Sequence, residues 1–164
     1  MTILVLGLGN PILTDDGVGV RVARLLRAAL PPDCDVEVDE VSVGGLRLME
    51  RMVGHRRVLI VDALLSGTAP PGTVRRLTLD DLRQASDTRH SRSPHDADLI
   101  TALDLGRRAG MTVPEEVVFV AVEVENVVDF GEEPTPAVAA AIPLAAAAAR
   151  REIDRWLGAP ASDT

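Results

Sequence analysis

The sequence predicts an α/β protein: a three-layer αβα sandwich around a twisted, mostly parallel sheet of about five strands, with one antiparallel edge strand. Three observations predict it. Short apolar runs alternate along the chain with longer segments of helical period. Two of those runs, Ile3–Leu6 and Val58–Val61, are apolar without interruption, as strands buried on both faces require. The first run also opens through the glycine-rich turn Gly7-Leu8-Gly9 into a helical pattern, the strand–turn–helix beginning of a crossover unit.

After that turn a helix is expected from Asp16 to Leu30, with Val18, Val22, Leu25, Leu26 and Ala29 on its apolar face and Pro31-Pro32 as its stop. Val36–Val41 alternates apolar with acidic residues, a strand with one wetter face. Gly44-Gly45 turns the chain into a short helix carrying Leu46, Met49 and Val53. Val58–Val61 is the next strand, ending at Asp62, and a Pro/Gly loop leads to an edge strand over Val74–Leu79, where Arg75 and Arg76 interrupt the pattern. A polar stretch, Ala85–Ser93, precedes a helix from Pro94 to Ala109 that closes at Gly110. Val117–Val124 is the last strand. The final helix starts at Thr135-Pro136 and runs to Trp156, with a kink expected at Pro143. No internal repeat or composition break divides the chain, so residues 1–158 read as one domain and 159–164 as a frayed tail.

Composition excludes several chemistries. The 164 residues hold one cysteine, Cys34, too few for a disulfide or a thiolate metal cluster. All 17 basic residues are arginine, so neither a P-loop lysine nor a Schiff base is available. A net charge of −8 opposes binding to nucleic acid or to an anionic membrane. The one long apolar tract, Pro136–Ala149, is too short to span a bilayer, and Ile3–Leu6 follows no basic leader region. The expectation is a cytoplasmic protein. With no evident apolar seam, it is also expected to be a monomer.

Chemistry concentrates in three places. In the segment from Gly7 to Gly19, Gly7 and Gly9 match half of a dinucleotide fingerprint, but Ile12 stands at the third glycine position and Asp15-Asp16 stand where a pyrophosphate would sit. Carboxylates there repel phosphate and attract a cation. Helix-dipole complementarity accounts for acids in a first turn as well, so Asp15 and Asp16 read equally as structural or functional. Asp62 lies at the carboxyl end of a central strand, the edge where open α/β sheets bind ligands; capping a turn is its bland alternative. In Ser93-Pro94-His95-Asp96, a capping-box-like helix start places His95 in a first turn. The dipole there favours neutral imidazole, the metal-binding form. His55 and His90 have no such framing, and His55 beside Arg56 and Arg57 reads as a solvated turn. Asp16, Asp62 and His95 together offer two oxygens and a nitrogen, a set suited to a divalent transition metal such as nickel or zinc.

In that order the glycine-flanked Asp15-Asp16 motif, the Asp62-Ala63 strand end and the Ser93-Pro94-His95 helix start resemble the hydrogenase maturation endopeptidases over nearly the whole chain. The resemblance implies removal of the C-terminal extension from the nickel-loaded precursor of a nickel–iron hydrogenase large subunit. It implies that Asp16, Asp62 and His95 form the catalytic, metal-engaging set, and that the nickel is carried by the substrate rather than permanently bound. Gly45, with Gly9 and Asn10 of the first motif, is implied at the substrate. The chain departs from the family pattern at Val43 and across Gly131-Glu132-Glu133-Pro134-Thr135. A non-catalytic nickel-sensing chaperone for the same precursor is the alternative. A peptidyl-tRNA hydrolase shares the Gly-Leu-Gly-Asn-Pro opening but requires a histidine soon after it, where this chain has Asp15-Asp16.

Overall fold

The computed structural model describes residues 2–87 and 94–158, with backbone alone for 85–87 and 94–97. Five strands form one sheet: β1 (Ile3–Leu8), β2 (Val36–Val41), β3 (Arg57–Leu64), β4 (Val74–Thr78) and β5 (Glu116–Glu123). Their spatial order is β2-β1-β3-β5-β4, parallel except for the β4–β5 pair. This is the predicted architecture, antiparallel edge included.

Among the described residues five α-helices cover the sheet: α1 (Val18–Ala29), α2 (Gly45–Met52), α3 (Leu79–Asp87), α4 (Pro94–Arg108) and α5 (Pro136–Leu157). Val18, Val22 and Leu26 of α1 join Val138, Ala141, Ala145, Ala149 and Ile153 of α5 on one face, over Val5, Leu59, Val61 and Val120. Leu48, Met49 and Met52 of α2 join Leu82, Leu99 and Leu103 on the other, over Leu4, Leu6, Val58, Ile60 and Phe119. Strand alternation sorts the residues between these two cores. Both central strands are buried along almost their whole length, which is why they read as unbroken apolar runs.

Several boundaries differ from the sequence expectation. The first helix is preceded by a 3-10 turn, Thr14–Gly17, so Asp16 lies outside the α-helix. Leu25 and Ala29 are exposed, because Gly19 and Ala23 take the sheet-facing side and let the helix approach closely. A Cβ on Gly19 would stand 2.2 Å from the Val61 carbonyl oxygen, and one on Gly7 would stand 2.5 Å from the Gly19 carbonyl oxygen. The motif glycines therefore approach the chain's own backbone. Leu46 is exposed, and Leu48 and Met52 are buried in its place. The third strand runs through Asp62 to Leu64, because β5 continues to pair with it as far as Glu123.

Helix α3 had no counterpart in the expected elements. It begins with a reciprocal cap: the Thr78 amide donates to Asp81 Oδ2 at 2.8 Å, and the Asp81 amide donates to Thr78 Oγ1 at 3.3 Å. Helix α5 is continuous through Pro143 and closes on Gly158 in the left-handed conformation, φ 73°. The predicted tail 159–164, His90 and Ser93 lie outside the described residues. His55 is half-buried rather than solvated, its Nε2 lying 3.3 Å from Glu37 Oε2 on the edge strand β2.

Candidate functional site

The chain leaves β1 toward β2 on one side and reaches β3 on the other, so the strand order reverses between β1 and β3. Loops leaving neighbouring strands diverge at such a point and leave a crevice at the carboxyl edge. Four of the segments singled out in the sequence begin or end at this edge. The turn after β1 carries Asp15 and Asp16, β3 carries Asp62, Gly44-Gly45 follow β2, and α4 starts there with His95 in its first turn.

The turn after β1 is bound tightly to itself. Gly9 has φ +130°, and a Cβ there would lie 1.9 Å from the Asp16 carbonyl oxygen, so only glycine fits. The Asn10 amide donates to Asp16 Oδ2 at 2.8 Å, and Asn10 Oδ1 accepts the Ile12 amide at 3.1 Å. Thr14 holds the left-handed region at φ 49°, costly for a β-branched residue. Its amide donates to the Gly131 carbonyl at 2.9 Å and its hydroxyl to the Asp129 carbonyl.

The two adjacent aspartates separate here. Asp15 is 0% exposed, and its carboxylate is saturated by donors from another part of the chain. Oδ2 accepts the amides of Glu125 (3.2 Å) and Asn126 (3.0 Å), and Oδ1 accepts the Thr135 amide (2.7 Å), with the Thr135 hydroxyl 2.9 Å from both oxygens. Asp15 is a clamp between the β1 turn and the β5–α5 loop. Asp16 is half-buried, and its Oδ1 is engaged by no described residue. Of the pair, Asp16 is the less buried and the less fully bonded.

Asp62 is 6% exposed. The β1–β3 ladder stops at Gly7 and Val61, so Asp62 stands one residue beyond it, still paired to Ala121 of β5. Its parity with Val58 and Ile60 puts it on the face covered by α2 and α4. Asp62 Oδ1 accepts the Ala63 amide at 2.8 Å. Two residues further along the same face of β5 from the Ala121 position is Glu123, 1% exposed. It accepts the Ser66 amide (3.0 Å), the Ser66 hydroxyl (2.7 Å) and the Gly67 amide (2.8 Å), fixing the loop after β3. The sequence reading missed Glu123. Its signal was there, as the one charge inside the apolar run Val117–Val124.

Gly45, φ +58°, opens an apolar groove of about 650 Å³ between the start of α2 and α4, lined by Leu46, Asp98, Thr101, Ala102 and Leu105. The His95 side chain lies outside the described residues. Among those described, no three histidine, cysteine or acidic groups come together closely enough to hold a metal ion. The structure thus brings Asp16 and Asp62 to one edge and leaves the third expected ligand undescribed. A second cleft of about 300 Å³, lined by Ile3, Asp35, Arg57 and Trp156, lies at the opposite edge of the sheet.

Fold and site define a doubly wound α/β protein that carries Asp16 and Asp62, in place of a phosphate-binding loop, where its strand order reverses. Among solved structures, the hydrogenase maturating endopeptidase HybD from Escherichia coli shares this architecture, with a TM-score of 0.77 and 31% identity over the full length of both chains. The [NiFe] hydrogenase maturation protease HybD from Thermococcus kodakarensis superposes with a TM-score of 0.68 at 27% identity, covering 96% of this chain and 99% of that one. The curated Hydrogenase 2 maturation protease of Escherichia coli K12 is 36% identical over 107 residues, a match spanning 63% of each chain. The family model HycI, Hydrogenase maturation protease, matches residues 20–152. The chain belongs to the hydrogenase maturation protease family, a family of endopeptidases.

Proposed function

We propose that this chain removes the C-terminal extension from the nickel-loaded precursor of a nickel–iron hydrogenase large subunit, and that Asp16, Asp62 and His95 engage the nickel in that substrate. The observation that carries the reading is Asp62, a carboxylate 6% exposed just beyond the end of the β1–β3 ladder, at the crevice whose other wall is the Asp16 turn. Two oxygens and an imidazole suit a borderline divalent metal and leave coordination positions for the substrate's own ligands.

Each residue then has a task. The Asn10 amide holds Asp16 through Oδ2 and leaves Oδ1 for the nickel. Gly9 lets the turn close on the Asp16 carbonyl and so shapes the wall that, with Asn10, meets the substrate, and Gly45 opens the groove along which the extension lies. Nickel in the precursor polarises the scissile carbonyl or acidifies a bound water, and a carboxylate of the pair accepts the proton that water loses. Cleavage is thereby tied to correct metal loading. The protein is read as a cytoplasmic monomer that touches neither nucleic acid nor membrane, in keeping with its charge of −8.

The test is the intact mass of the precursor before and after incubation, nickel-loaded and nickel-free, with wild-type enzyme and with Asp62→Asn. The expected result is loss of a C-terminal peptide only with nickel and wild-type enzyme. Cleavage of nickel-free precursor overturns the metal gate, and a stable complex without cleavage favours the chaperone.

A further inference from the structure

The chain holds two phenylalanines, one tryptophan and no tyrosine. Phe119 and Trp156 are buried in the two cores, whereas Phe130 is 83% exposed and its neighbour Val128 is 78% exposed. Both lie in the β5–α5 loop, and Ile12, also exposed, is joined to it where the Gly131 amide donates to the Ile12 carbonyl at 2.8 Å.

This loop is held in place. Asn126 Oδ1 accepts the amides of Val128 (3.2 Å) and Asp129 (3.1 Å), and Asn126 Nδ2 donates to Asp129 Oδ2 at 2.9 Å. The buried Asp15 carboxylate clamps both ends through Glu125, Asn126 and Thr135. A bridge between Leu13 and Gly131 fastens the middle to the β1 turn. A slack loop folds large apolar side chains inward; this one is built to hold them in water. An aromatic anchor on a pre-ordered loop loses little conformational freedom on docking.

We propose that Val128 and Phe130 form a docking knob that enters an apolar recess, rimmed by basic side chains, on the folded body of the enzyme's protein substrate. The inference rests on the function proposed above and adds where the enzyme grips the precursor, apart from the scissile segment. The charge around the knob selects this occupant. Residues 125–135 hold Glu125, Asp129, Glu132 and Glu133, all exposed, and no basic residue. Arg21 and Arg24 lie outside this segment, in a cleft shared with Ile12, Glu132 and Glu133 that offsets part of the acidic charge, and Arg24 is itself paired to Glu40. An acidic collar repels an anionic lipid surface, and it repels a second copy of a chain whose net charge is −8. Because the knob is fastened to Thr14 and Asp15, docking there sets the substrate against Asp16.

The experiment measures the Kd between nickel-loaded precursor and enzyme in an Asp62→Asn background, so that the complex is not consumed, with wild-type cleavage run beside it. Phe130→Ser and the Val128→Ser/Phe130→Ser pair are expected to weaken binding at least tenfold, Phe130→Leu to restore most of it, and all to keep the parent's melting temperature. With Asp62 intact, Phe130→Ser is expected to raise KM and hold kcat within about twofold. Unchanged Kd in the double variant while wild-type enzyme cleaves overturns the knob and leaves the proposed function standing. Self-association that disappears in the double variant overturns the chosen occupant in favour of a second copy. If wild-type enzyme neither binds nor cleaves the precursor, both readings fall.

Discussion

Asp15→Asn separates the two neighbouring aspartates by stability. The substitution keeps the shape and replaces one oxygen by an amide nitrogen. Both Asp15 oxygens accept hydrogen bonds, Oδ1 from the Thr135 amide and Oδ2 from the amides of Glu125 and Asn126. In either orientation the new NH2 group faces at least one backbone N–H, so a buried donor meets a donor. A hydrogen bond to a charged group contributes about 1.5–3 kcal/mol, and an unsatisfied buried donor adds to the loss. Because the bonds share one carboxylate, they do not sum, and about 3 kcal/mol is expected. At roughly 2–4 °C per kcal/mol for a domain of this size, the melting temperature falls by about 6–12 °C. The assay is thermal unfolding by circular dichroism, with urea titration to confirm that the slope is unchanged while the midpoint drops. Asp16→Asn can turn its remaining oxygen to the Asn10 amide, keeping that bond and losing only its charge assistance, so it is expected to shift melting by under about 3 °C. Equal shifts for the two variants, or a small shift for Asp15→Asn, would refute the clamp.

Gly19→Ala is expected to cost at least about 3 kcal/mol, because its methyl meets the backbone oxygens of Val61 and Leu8 and must push α1 off the sheet; a urea midpoint within error of wild type contradicts this. Asp81→Ala is expected to cost about 1 kcal/mol by removing the carboxylate half of the reciprocal cap of α3, read as faster amide exchange confined to residues 78–83. Burial pushes Glu152 up, but Arg76 of β4 and the Arg155 side chain more than reverse this and hold its carboxyl below the usual range. A lowered folded value stabilises above the ordinary pKa near 4.5 and is lost as pH falls through the folded value. The urea midpoint of Glu152→Gln is therefore expected to fall less than that of wild type between pH 5 and about 2.5; parallel curves contradict the link.

Much of the fold was legible because the parallel strands are buried on both faces, and burial wrote itself as uninterrupted apolar runs at Ile3–Leu6 and Val58–Val61. Strand ends were less legible. An aspartate after an apolar run reads as a stop, yet Asp62 stays in β3 because β5 supplies a pairing partner as far as Glu123, a tertiary fact. Helix α3 was missed although Thr78-Leu79-Asp80-Asp81 carries a capping signature, since the polar sequence after it shows little apolar period. The roles of Asp15 and Asp16 could not be divided from sequence: the donors that occupy Asp15 come from residues more than a hundred positions away. Likewise the motif glycines advertised a close approach, but only the packed helix shows that the approach is to Val61 and Leu8.

The central claim, that Asp16, Asp62 and His95 are one nickel-reading site, is tested most directly by calorimetric titration of Ni2+ into wild-type enzyme and into Asp16→Asn, Asp62→Asn and His95→Ala. The account predicts one site in wild type, weakened by a large and similar factor in all three variants while each keeps its fold. Nickel binding that survives in all three at wild-type affinity would contradict it.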